Sequence, residues 1–229
     1  VLVLKLVQEK AWTWAFRFSV LTRRLRKQIR IYASYYLGVR LLASSSIFID
    51  VIAVTGLLGL KEAGVYTVAI YFVSLILVPQ RAIIYAVIPL ISEAWSKNDL
   101  NQINSIYQKS SEVLLVAGGL LYLLICFSMD HALAFLPKAY QNLLPVFVVL
   151  GAARLVDMVS GVNVQILANS KRYFRMDFWS SLVLLLLQIP LNYWLIKSYG
   201  TLGAAWALLI SFVAINGLRG WYLYQKEGL

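Results

Sequence analysis

The sequence predicts an all-α membrane protein, a bundle of about six transmembrane helices. Three observations carry this reading. Of 229 residues, 61% are hydrophobic and only 14% charged, with a mean hydropathy of +0.74; a soluble domain of this length needs a wettable surface that this composition does not provide. The apolar residues fall into runs of the length that crosses a bilayer core, roughly 20 residues as helix. The connections between those runs are brief and polar.

Six runs qualify, at Tyr32–Leu60, Tyr66–Glu93, Glu112–Phe127, Leu143–Ala168, Asp177–Ile196 and Leu202–Tyr224. They are separated by stretches such as "GLKEAG", "SKNDLNQINSIYQKS", "NSKRYFR" and "KSYGT". The bundle therefore spans residues 32–224, with residues 1–31 before it and a short tail at 225–229. The opening "VLVLKLVQEK" reads as the end of an earlier apolar segment, without the charged start and small-residue cleavage site of a signal peptide. The expectation is a C-terminal portion of a longer protein. The third run has almost no polar groups, as befits a helix facing lipid.

The net charge is +11, from 21 Lys and Arg against 10 Asp and Glu. In a soluble protein this balance would point to nucleic acid. Here the cations cluster at the ends of apolar runs, which signals orientation and contact with anionic membrane lipids, and no nucleic-acid partner. With the segment before the first run on the cytoplasmic side, fifteen of the 21 fall there, among them Arg219, and three (Lys61, Lys138 and Lys197) fall outside. The positive-inside rule then places both ends in the cytoplasm. The stretch "RFSVLTRRLRKQIRIY" (Arg17–Tyr32) is basic and amphipathic. It is either a surface helix that grips anionic headgroups or receives an anionic substrate, or a topology determinant.

A single Cys126 and a single His131 exclude an intramolecular disulfide and argue against a zinc or iron site. No Gly-rich phosphate loop, metal-ligand cluster or Ser-His-Asp set is visible, so neither enzyme chemistry nor a metal or cofactor is expected. The outer loops are too short for a membrane glycan polymerase or ligase.

What remains is charge inside the runs. Arg40, Arg81, Arg154, Asp50 and Asp157 all lie within them. Each charge near mid-bilayer costs about 2.5–3.5 kcal/mol, so three arginines represent on the order of 8–10 kcal/mol unless they face protein or water. At about 100° per residue, Arg154, Asp157, Gly161 and Gln165 share one face of the fourth run. Thr67, Ser74, Arg81 and Tyr85 share one of the second, and Asp177, Ser181, Gln188 and Asn192 one of the fifth. Three polar stripes on apolar helices imply a hydrated interior. Asn163 lies opposite its own stripe and is expected to bond a neighbouring helix. Arg154 and Asp157 are one turn apart, and either line a cavity together or staple two helices as a local ion pair. Arg40 either faces the cavity or snorkels to the interface. Asp50, with Ser44, Ser45 and Ser46 nearby, is a candidate coupling-ion site or a hydrogen-bonded packing residue. Pro79 and Pro89 in the second run and Pro190 in the fifth predict kinks. Gly203, Ala207 and Ser211, at four-residue spacing in the last run, predict close helix packing.

Three stretches carry a family resemblance: "GLLGLKEAGVYTVAIYF" (Gly56–Phe72), "VIPLISEAWSKNDLNQINSIYQKSS" (Val87–Ser111) and "NYWLIKSYGTLGAAWALLIS" (Asn192–Ser211). In order and spacing they resemble bacterial polysaccharide (O-antigen type) flippases of the multidrug/oligosaccharidyl-lipid/polysaccharide exporter superfamily. The resemblance covers nearly the whole chain after Tyr32. It implies one half of a two-bundle, MATE-like transporter in the bacterial inner membrane. That transporter moves polyprenyl-pyrophosphate-linked oligosaccharide between leaflets by alternating access, with the N-terminal half of the same protein as its partner. The family has no strict signature for substrate residues. The candidates therefore come from the stripes: Arg40, Arg81 and Arg154 as cations for a pyrophosphate headgroup, with Asp157, Gln165, Gln188 and Asn192 beside them. Cation-coupled export of small molecules is the rival expectation within the superfamily.

Overall fold

Helix α1 (Arg23–Leu58) holds 36 residues in one element, because no proline interrupts its run of apolar and straight-chain residues. Gly59, at φ 97, ends it and opens α2 (Leu60–Ile76) at once. Only glycine adopts that backbone conformation without strain. The computed structural model describes residues 22–141 and 143–228; the opening "VLVLKLVQEK" and the basic stretch before Thr22 lie outside them. The chain divides into two compact units, residues 1–37 and 38–229. Within the first, the described residues are the opening turns of α1, and everything below concerns the second.

The second apolar run is not one helix. After α2 the chain bends by 49° into α3 (Val78–Lys97). Pro79 sits in the first turn of α3, where its missing N–H and fixed φ are tolerated, so it breaks the span where a kink was expected. Pro89 and Pro190 lie inside helices that continue through them.

Asn98, in the left-handed conformation at φ 53, stops α3, and the Asp99 carboxylate accepts the backbone N–H of Gln102 at 2.9 Å. That cap starts α4 (Leu100–Ala134), 35 residues long. The polar stretch read as a connection is therefore mostly the first turns of α4. Asp99 followed three residues later by Gln102 is a capping-box pattern, and it was the available sequence signal.

A short 3₁₀ turn, Lys138–Tyr140, leads to α5 (Leu143–Val159). The fourth run also breaks, by 47°, into α6 (Asn163–Asn169). Gly161, at φ 64, makes the turn. Helices α7 (Phe174–Tyr199) and α8 (Thr201–Glu227) are separated by Gly200 alone, at φ 62.

Helices α1, α4, α7 and α8 are each long and apolar enough to cross a membrane, and counting each bent pair as one span gives six. Every described element is helical, with no strand among the described residues. The larger core joins α2, α4, α5 and α8 through residues such as Tyr66, Ile76, Leu114, Phe147, Leu150 and Leu208. A smaller one gathers Ile91, Ala94, Ile103, Ile166, Tyr173 and Leu223 around α6. Helix α8 packs chiefly on α7 and α5, and its small-residue face, Gly203, Ala207 and Ser211, is buried as expected. A Cβ on Gly203 would stand 2.0 Å from the Leu195 carbonyl oxygen, which is why glycine opens this helix. Val116, Leu120, Leu124 and Phe127 of α4 are exposed, the surface a lipid-facing helix requires.

Candidate functional site

The polar stripe of α7 turns inward along its whole length. Asp177, Ser181, Gln188 and Asn192 are all buried, and each meets a polar or charged group from another helix. Asn192 Nδ2 donates to Asp50 Oδ1 of α1 at 2.7 Å, and the Tyr66 hydroxyl of α2 donates to Asp50 Oδ2 at 3.5 Å. One turn along, Ser46 Oγ donates to Gln188 Oε1 at 2.5 Å. Asn192 Oδ1 and Gln188 Nε2 have no hydrogen-bond partner among the described residues. The lower part of the stripe meets Arg219 of α8. Its Nε donates to Ser180 Oγ at 2.9 Å and its Nη2 to Ser181 Oγ at 3.2 Å, with Asp177 Oδ1 3.8 Å from Nη2. From Asn192 to Asp177 the stripe covers roughly 22 Å of helix at 1.5 Å per residue.

At the Asp50 end of this seam, a cavity of about 40 Å³ opens between α1, α2, α5 and α8. Asp50, Tyr66, Ser74 and Arg154 give it polar walls, and Ile70, Val73, Leu150 and Leu208 apolar ones. The Arg154 guanidinium lies 5.1 Å from the centre of the Phe212 ring, close enough for a cation–π contact. It shares that cavity with Asp50 and Tyr66. Among the described residues it makes no hydrogen bond and no ion pair.

Arg154 and Asp157 are thus not paired with each other, which corrects the reading of them as a local ion pair. Asp157 Oδ1 instead accepts from Asn216 Nδ2 of α8 at 3.2 Å, and Asn216 Oδ1 accepts from Asn163 Nδ2 at 3.2 Å. Asn163 does bond a neighbouring helix, as its position opposite the stripe required. The fourth-run stripe is cut by the break at Gly161. Gln165 lies beyond it on α6, where its backbone carbonyl accepts from Asn169 Nδ2 at 2.8 Å.

The second-run stripe is cut likewise. Thr67 and Ser74 bond back to carbonyls of their own helix, Ala63 O and Tyr71 O. Arg81 and Tyr85 stand exposed on α3 beyond the bend. Arg40 is exposed on α1, with its charge reaching Asp177. Arg219, counted from the sequence among the cytoplasmic cations, is buried against Asp177.

Sequence reasoning missed Tyr66, Phe212 and Asn216, and placed Ser46 near Asp50 without its Gln188 partner. Ser46 lies one turn before Asp50, and Phe212, Asn216 and Arg219 share one face at helical spacing, a weak signal that was present. Tyr66 carried none, because it stood at the edge of a run. No group of three or more His, Cys, Asp or Glu that could hold a metal ion occurs among the described residues.

With every described element helical, several of them candidate spans, and the polar stripe of α7 buried, the chain is a multi-pass membrane protein. No protein-family model matches the chain, and neither does any curated protein or solved structure.

Proposed function

We propose that this chain is one bundle of a two-bundle, MATE-like transporter in the bacterial inner membrane, with both ends cytoplasmic. It moves a polyprenyl-pyrophosphate-linked oligosaccharide between leaflets by alternating access, without covalent chemistry. Its partners are the other bundle of the transporter, the lipid-linked substrate and the surrounding lipids. The observation that supports this most is Arg154. A guanidinium at a cavity of mixed polar and apolar walls, in contact with a ring face and without a hydrogen-bond acceptor among the described residues, suits an anionic headgroup, because its planar fork binds phosphate oxygens in pairs. Arg40 and Arg81, exposed on α1 and α3, add cations to the route.

The test is made in cells that display a polymerised surface glycan. Loss of the intact protein should abolish display and leave lipid-linked oligosaccharide on the cytoplasmic side. Arg154→Ala should reproduce that loss at an unchanged protein level, and Arg154→Lys should keep part of the transport because charge persists without the fork. Normal glycan display in the deletion strain would overturn the proposal.

A second reading is supported by Asp50, a buried carboxylate facing the same cavity beside an Asn192 carbonyl that has no partner among the described residues. It is a cation-coupled exporter of small molecules, with Asp50 as the coupling group. A proton- or sodium-dependent efflux activity lost in Asp50→Asn, with glycan display intact, would favour it.

A further inference from the structure

The break between α5 and α6 is bridged from a third helix. Asp157 lies one turn before Gly161, Asn163 two residues after it, and Asn216 of α8 is bonded to both at 3.2 Å. The direction of these bonds is dictated by chemistry. An ionised carboxylate only accepts, so Asn216 must turn its Nδ2 to Asp157, leaving its Oδ1 for Asn163. Asn163 and Asn216 are 2% and 6% exposed, so neither bond is readily replaced by water.

The same face of α8 carries Phe212 one turn earlier, under Arg154, and Arg154 stands one turn before Asp157 on α5. Helix α8 therefore grips α5 at two successive points, ring under guanidinium and amide on carboxylate. On the near side of the 47° bend the Gly161 N–H reaches back to Met158 O at 2.9 Å, and on the far side the Ile166 N–H reaches back to Val162 O at 2.9 Å. Each of those bonds stays on its own side of the break, where the regular helical ladder that would set an angle is interrupted. Asn216 supplies a constraint across it.

We infer that Asn216 is a positioning residue. By clamping Asp157 and Asn163 on opposite sides of the break, it fixes the bend of α5 against α6 and holds Arg154 at the cavity. The link to Arg154 rests on the function proposed above, whereas the bend does not.

The test is a swap in the intact transporter, with Cys126→Ser and any cysteine of the other bundle likewise replaced, so that introduced thiols are unique. Asn216→Asp sets two carboxylates against each other. Asp157→Asn keeps an acceptor for Asn216. The double change Asn216→Asp with Asp157→Asn restores a full set of donors and acceptors, since the carboxylate introduced on α8 then accepts from the asparagine on either side of the break. Spin labels on cysteines replacing Val148 and Ala168 read the bend as a distance. The parent, Asp157→Asn and the double variant should give the same narrow distribution, and Asn216→Asp a shifted or broadened one. Apparent KM for substrate should rise about tenfold or more in Asn216→Asp, as for loss of one charge-assisted hydrogen bond, and recover in the double.

An unchanged distribution in Asn216→Asp, or a double variant no better than that single, overturns the clamp. A moved bend with unchanged KM overturns the positioning of Arg154. If the parent moves no oligosaccharide at all, the transport proposal falls, and the distances still decide the clamp.

Discussion

Asn192 gives Asp50 its shortest hydrogen bond, 2.7 Å, inside a helix that is otherwise mostly apolar. A buried carboxylate stripped of a donor bears its desolvation cost in full, roughly 1–3 kcal/mol or more for a charged group. Asn192→Leu should therefore lower the thermal midpoint of the detergent-solubilised protein by several degrees. Asp50→Asn should fold nearly as well, because an amide oxygen still accepts from Asn192. It leaves Arg154 without its facing charge, so its effect should appear in transport and not in stability. Equal loss of stability in both variants would contradict this division. Arg219 obeys the same logic more severely. Breaking a buried pair by removing one partner costs about 3–5 kcal/mol, so Arg219→Ala, which strands Asp177, should sharply reduce the yield of folded protein. Replacing both, Arg219→Leu with Asp177→Leu, should recover much of it, and a yield that stays low would refute the pairing.

Helices here end where single residues compel them to. Gly161 meets two constraints, a φ of 64 and a Ser111 hydroxyl that a Cβ would approach to 2.3 Å. Gly203 meets one, a carbonyl oxygen of the preceding helix at 2.0 Å. Backbone cannot move aside as a side chain does, so Gly203→Val should separate α7 from α8 and cost more than Gly161→Ala. Midpoints of thermal unfolding for the two variants would reveal the opposite order if that reasoning failed. Asp99→Ala should cost only about 1 kcal/mol, the usual value of an N-cap, since α4 is otherwise held by its packing. Breaks at Leu77 and Gly161 were the hardest elements to read. A run of apolar residues gives the same signal whether or not the helix inside it bends, and Pro79 fits both a kink and a first turn.

At the scale of the molecule, the charge asymmetry and the loops give an orientation that can be measured. In a Cys126→Ser background, cysteines replacing Ser96 and Lys171 should react with a membrane-impermeant reagent only from the cytoplasm, and one replacing Ala139 only from outside. All three positions are exposed. The reverse pattern would invert the proposed topology. Leaving the buried Arg219 out of the cytoplasmic count gives fourteen cations against three, so the bias does not depend on it.

The amino-acid sequence by itself determined that this protein is helical, lives in lipid and buries the polar stripe of α7, because composition and a 3.6-residue period are local properties that any bilayer reads alike. It also singled out most of the charges that matter, since a charge in an apolar run is costly wherever the run ends up. Which groups meet was decided only by the tertiary structure. Arg154 faces Asp50, over 100 positions away, and not Asp157 one turn away. Asp157 and Asn163 find Asn216, and Asp177 finds Arg219. Helical spacing states which residues share a face, but the partner of that face depends on how the helices are arranged and where they bend. Those are set by glycines, by one proline and by close packing between distant segments, so no stretch of sequence contains the pairing on its own.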